Sequence, residues 1–123
     1  MNKIAIIDKS NLASNVYKLL LHNEATFLTS ASKYSEIREL FFKRAKIDLI
    51  IFNSNTFGKK FDETYKTILK DTPVSKIHKL FICKESENIW HSKLSNLPLS
   101  EILVRPFHPN DFISAVNKIL KGR

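Results

Sequence analysis

A single cysteine, Cys83, stands in the chain, so no internal disulfide can form; that suits a reducing compartment and a cytoplasmic location. The only glycines are Gly58 and Gly122, which excludes the glycine-rich cradles that hold nucleotide phosphates, G-x-G-x-x-G and the P-loop. Long hydrophobic runs are also missing. The longest early one, Ile4 to Ile7, is too short for a signal peptide or a membrane span. His22, His78, His91 and His108 show no metal-ligand spacing and no cysteine cluster beside them, so no metal or other cofactor is expected. Acidic side chains are scarce, 12 against 20 basic, and the net charge of +8 biases encounters toward acidic partners. The basic residues are spread along the chain, with local groups at Lys43, Arg44, Lys46 and at Lys59, Lys60. They do not interleave with aromatics as a nucleic-acid stacking platform requires.

What is present is a rhythm. At 123 residues the chain makes one domain, 1–123, able to bury roughly two thirds of its unfolded surface. Apolar runs at 3–7, 25–30, 48–52, 79–83 and 101–104 read as strands. Helical spacing appears between them. Ser10 is a fair N-cap for a helix carrying Leu12, Val16, Leu19 and Leu20. Ile37, Leu40, Phe41 and Ala45 mark a second helix. Phe61, Tyr65, Ile68 and Leu69 mark a third, with Pro73 beyond it as a stop. The segment around Ile89, Trp90 and Leu94 predicts a shorter fourth helix. His108 and Pro109 look like the N-cap and first residue of a fifth, whose apolar face is Phe112, Ile113, Val116, Ile119 and Leu120. Five strands alternating with five helices argue for an α/β fold, a parallel sheet covered on both faces. The last helix nearly reaches Arg123, so a further output domain is expected only outside these residues.

In such a sheet the chemistry belongs at the carboxyl ends of the strands. The residues found there are Asp8 and Lys9, Asn53, Cys83 and Arg105, within "IIDKSN", "DLIIFNSNTFG", "LFICK" and "LVRPF". Their separations are 45 positions from Asp8 to Asn53, 30 from Asn53 to Cys83 and 22 from Cys83 to Arg105. This order and spacing resemble the receiver domain of bacterial response regulators, the CheY-like family, over essentially the whole chain. The resemblance implies a doubly wound, flavodoxin-like parallel sheet of five strands in the order 2-1-3-4-5. It also implies an acidic pair after the first strand, a phosphorylated aspartate after the third, a hydroxyl after the fourth and Lys-Pro after the fifth, with the peptide before that proline cis.

The departures are as informative as the matches. Asp8 keeps the first acidic position, but Lys9 occupies the second. Asn53 stands for the phosphoacceptor, Cys83 for the hydroxyl and Arg105 for the lysine. An acyl phosphate forms on an anionic carboxylate, and an amide oxygen cannot replace it. Phosphoryl transfer also uses Mg²⁺, which prefers hard oxygen ligands with carboxylates among them. One carboxylate and an adjacent ammonium meet that need poorly. The five residues therefore read as a vestigial phosphorylation site, with no catalytic residue. Asn53 would serve as a hydrogen-bonding linker, and Arg105 would pair with Asp8 through its planar fork.

The expected function is that of a pseudo-receiver: a phosphorylation-independent regulatory module in bacterial signalling that binds a protein partner and is not an enzyme. The partner face implied by the resemblance is built from the fourth helix, fifth strand and fifth helix, with Ile89, Trp90, Glu101 and Ile102 as candidate contacts. An acidic protein or a second copy of the chain would dock there. Three other readings stay open. One is an enzyme of another flavodoxin-like type, although no catalytic pair converges at the strand ends. Another is a receiver-like sensor of an anion or metabolite near Lys9 and Arg105. The third is a nucleic-acid-binding regulator using the basic surface, whose mark would be a steep loss of binding with salt.

Overall fold

Alternation along three strands builds two cores at once. In the computed structural model, which describes residues 2–22, 25–31, 39, 46–54 and 61–121, strand β1 (Asn2–Ile7) sends Ile4 and Ile6 to one face of the sheet and Ala5 and Ile7 to the other. Strand β3 (Leu49–Asn53) does the same with Leu49 and Ile51 against Ile50 and Phe52. Strand β4 (His78–Lys84) follows with Leu80 and Ile82 against Phe81 and Cys83. Successive side chains on a strand point to opposite faces, so a strand that is apolar throughout must be covered on both. Each of these large apolar side chains is fully buried, a contribution of about 1.5–3 kcal/mol apiece.

Strands β2 (Ala25–Ala31) and β5 (Ser100–Arg105) complete a parallel sheet with the order β2-β1-β3-β4-β5. The connections are crossovers, and the helices they supply lie on the two faces. Helix α1 (Asn11–Leu20) and helix α5 (Pro109–Lys121) close one core. Tyr17 and Leu21 meet Phe112, Val116, Ile119 and Leu120 there, and the rings of Tyr17 and Phe112 stack at 5.1 Å. Helix α2 (Phe61–Lys70), the short helix α3 (Thr72–Ser75) and helix α4 (Asn88–Ser95) lie on the other face. They contribute Ile68, Val74 and Leu94 around the stacked pair Phe52–Phe81, whose centroids are 4.8 Å apart. Among the described residues no helix is long and apolar enough to cross a membrane.

Local signals hold in several places. Ser10 caps α1, its Oγ accepting from the Ala13 N–H at 3.2 Å. Pro109 opens α5, where the Asp111 carboxylate accepts from the His108 N–H at 3.1 Å. One reading gains a detail and another needs correction. Pro73 lies just beyond the third helix, which ends at Lys70, and it also sits in the first positions of a new turn, α3, capped by Asp71, where a missing N–H costs nothing. On α1, Leu12, Val16 and Leu19 do not face the core. They are 77%, 44% and 72% exposed, and the buried side is Ser14, Tyr17 and Leu21. The helix is apolar on two sides, so periodicity alone selected the wrong one. The segment expected to form a helix through Ile37, Leu40, Phe41 and Ala45 lies outside the described residues.

A lysine enters the core. Lys79, in β4, is fully buried, and its ammonium donates to the carbonyls of Val74 (3.1 Å), Ser75 (3.4 Å) and Ile77 (2.5 Å). Val74 and Ser75 are the last residues of α3, where a cation is favoured, and Ile77 follows just beyond it. Burial lowers its pKa from the ordinary 10.5 to about 8.

Candidate functional site

Asp8 follows the last residue of β1 and is 4% exposed. The chain turns there into α1, and the turn is held by the carboxylate itself: Oδ1 accepts from the Ser10 N–H at 2.8 Å. Oδ2 accepts from the Asn53 side-chain amide at 2.9 Å and from the Tyr17 hydroxyl at 3.3 Å. Asn53 is the last residue of β3, and β1 and β3 are sheet neighbours, which is why two side chains 45 positions apart meet. An amide offers N–H groups where a second carboxylate would offer only acceptors. Tyr17, delivered by the buried side of α1, completes the cluster. Its pKa is raised well above the ordinary 10, first by burial, then by the Asp8 charge and by its hydrogen bond to Asp8, with the charge of Arg105 opposing.

The other candidates stand at neighbouring strand ends without joining this cluster. Cys83 is fully buried near the end of β4 and packs in the core, as a small apolar side chain would. Lys9 is exposed beside Asp8. Arg105 ends β5, and its peptide with Pro106 is cis. The Asp8–Arg105 ion pair does not form. Arg105 leaves its Nε and Nη2 buried with no hydrogen-bond partner, while the Asp8 carboxylate is taken up by Ser10, Asn53 and Tyr17. The Asp8 carboxylate is satisfied by nearer donors, although the Arg105 charge is still felt at Tyr17. β3 and β4 stand between β1 and β5, so three strand spacings, about 14 Å, separate the two strand ends.

Arg105 instead borders a shallow open depression of about 460 Å³, lined by Lys84, Arg105, Pro106 and Phe107. Lys84 is the register partner of Arg105 across β4 and β5, so the two cations stand side by side. Phe107 turns toward the core and stacks on Phe112 at 6.1 Å. Of the expected partner contacts, Glu101 is exposed, whereas Ile102 is half-buried and packs against the core. Ile89 and Trp90 lie in α4, and their side chains are outside the described residues.

Sequence reasoning missed two members of this region. Tyr17 reaches Asp8 from the second turn of α1; its signal was its place on the α1 side that carries Leu21. Lys84 follows "LFIC" directly, and only its register opposite Arg105 gives it a place in the site. The receiver resemblance implies Mg²⁺ here, and the described residues do not suit it. Asp8 is the one carboxylate among the five expected site residues, both its oxygens already accept from protein donors, and among the described residues no three metal-ligating side chains cluster.

No protein-family model matches the chain, and no curated protein matches it. Its fold is that of the receiver domain. It is similar to a response regulator receiver modulated diguanylate cyclase from Pelobacter carbinolicus, with a TM-score of 0.72 and 17% identity, over 99% of this chain and 94% of that one. It is similar to the N-terminal receiver domain of a two-component response regulator from Bacteroides fragilis, with a TM-score of 0.79 and 10% identity, over 98% and 97% of the two chains. The chemotaxis response regulator CheY4 of Vibrio cholerae aligns with a TM-score of 0.72 and 17% identity, over 98% and 99%. At these identities the likeness establishes the flavodoxin-like receiver fold.

Proposed function

We propose that this chain is a pseudo-receiver, a cytoplasmic signalling module that regulates by binding a protein partner without being phosphorylated and without catalysing a reaction. The observation that carries the reading is the Asn53–Asp8 hydrogen bond at 2.9 Å. The place of the nucleophile holds an amide, and that amide occupies the carboxylate kept at the first acidic position. With neither a phosphoryl group nor a metal to distinguish two states, nothing at this site shifts a conformational equilibrium in the usual receiver manner. The domain then offers a surface of one form.

The expected face of α4, β5 and α5 keeps Glu101 exposed. A second face is favoured by the exposed stripe Leu12, Val16 and Leu19 on α1. Its spacing suits an amphipathic helix laid alongside. An acidic helix fits best, because α1 contains no acidic residue, carries Lys18, and belongs to a chain of net charge +8.

The test is direct. Incubation with acetyl phosphate and Mg²⁺ should leave the intact mass unchanged. A stable adduct of one phosphoryl group on Asp8 or Asn53 would overturn the reading.

A further inference from the structure

The guanidinium of Arg105 has both Nε and Nη2 buried and without an acceptor. These are not two arbitrary nitrogens. Their N–H bonds run side by side along one edge of the guanidinium, the edge that grips two oxygens of one carboxylate or phosphate. A buried charged donor without a partner is costly. Among the carboxylates of the strand ends, Asp8 was the expected acceptor, and it is saturated by Ser10, Asn53 and Tyr17.

A second observation points the same way. Lys84 stands directly opposite Arg105 in the β4–β5 register. The depression over this pair is lined by Lys84, Arg105, Pro106 and Phe107, and no acidic side chain is among them. At about 460 Å³ it has room for more than a bare ion, with the proline and the aromatic ring offering apolar contact to an organic remainder.

We propose that Arg105 and Lys84 form a non-covalent binding site for a small oxyanion, a carboxylate or a phosphate, at the carboxyl edge of β4 and β5. The site excludes Asp8 and Asn53. Both nitrogens are buried in the unliganded chain, so the anion meets this edge as the Arg105 side chain turns outward about its terminal torsions. Lys84 holds the anion's outer side as a point charge. The inference goes beyond the protein-binding reading and does not rest on it.

Amide NMR of the full chain tests it, with sodium phosphate and sodium acetate titrated separately at constant ionic strength and neutral pH. Saturable shifts are expected at Lys84, Val104, Arg105 and Phe107. Saturation by phosphate alone, by acetate alone or by both assigns the class. Arg105→Lys keeps the charge and loses the fork, and should weaken binding at least about fivefold, the loss of one charge-assisted hydrogen bond. Lys121→Gln, which removes a positive charge remote from the pocket, should bind as the wild type does. Shifts that grow without saturation at lysines over the whole surface would overturn the proposal, as would wild-type binding by Arg105→Lys. If that variant fails to fold, Lys84→Gln decides: at least about threefold weaker binding supports the site, and unchanged binding refutes it.

Discussion

Replacing Asn53 by aspartate would put two carboxylates across the 2.9 Å now spanned by a hydrogen bond. Neither could donate to the other while both are ionised, and the repulsion would raise the pKa of one of them. Asn53→Asp should therefore lower stability at neutral pH by about 1–3 kcal/mol. The loss should shrink in mild acid, where the pair shares a proton. Urea unfolding at the two pH values checks this, and equal loss at both would show that the carboxylates have moved apart. The same variant should still fail to take a phosphoryl group efficiently from acetyl phosphate, because Lys9 remains where a second acid would help hold a metal. At this scale much was legible. The identities of Asp8, Lys9, Asn53 and Arg105 at strand ends follow from where the apolar runs stop. The partner of each side chain was not legible, because hydrogen bonding depends on which strands are neighbours.

Helix α1 shows what periodicity can and cannot say. Leu12, Val16 and Leu19 form one apolar stripe, and Ala13, Tyr17, Leu20 and Leu21 form another. A 3.6-residue period is consistent with either facing inward. The sheet selects the second, since Tyr17 and Leu21 meet Phe112 and the β1 side chains. The energetic consequence is a contrast within one helix region. Leu12→Asn together with Leu19→Asn should change unfolding free energy by no more than about 0.5 kcal/mol each, as at other exposed positions. Leu21→Ala, at a fully buried position, should cost about 2–5 kcal/mol. Chemical denaturation of the variants measures both. A large loss from the double variant would mean that this stripe is covered in solution, and its concentration dependence would then tell self-association from a fold effect. The strands were the easier elements to read, because a run that is apolar throughout has no face to choose. The short helix α3 was harder. Its four residues carry no periodicity, and only the Asp71 cap and Pro73 announce it.

Across the whole molecule, two buried titratable groups set opposite alkaline trends. Lys79 has a pKa of about 8 when folded, against an ordinary 10.5. In that window the unfolded chain holds the extra proton, so stability rises with pH, by at most about 3 kcal/mol. Tyr17 is raised above its ordinary 10, so from pH 10 the unfolded chain releases a proton that the folded chain keeps, and stability falls. Thermal melts should therefore show a gain between pH 8 and 10 followed by a decline. Lys79→Met should remove the gain, and Tyr17→Phe should soften the decline. A gain that survives in Lys79→Met would assign it to another group.

The sequence by itself determined the alternating elements, the two-sided burial of the central strands and the amide, Asn53, at the carboxyl end of the third. Those properties are local: they depend on periods of two and 3.6 residues and on the chemistry of single side chains. The tertiary structure alone decided that Asp8 binds Asn53 and Tyr17 and not Arg105, that α1 buries its Tyr17 side, and that Lys79 caps a turn from inside the core. These are matters of distance across the sheet. With β3 and β4 between β1 and β5, the nearest donors reach the Asp8 carboxylate first, and the arginine three strands away is left with its Nε and Nη2 without an acceptor.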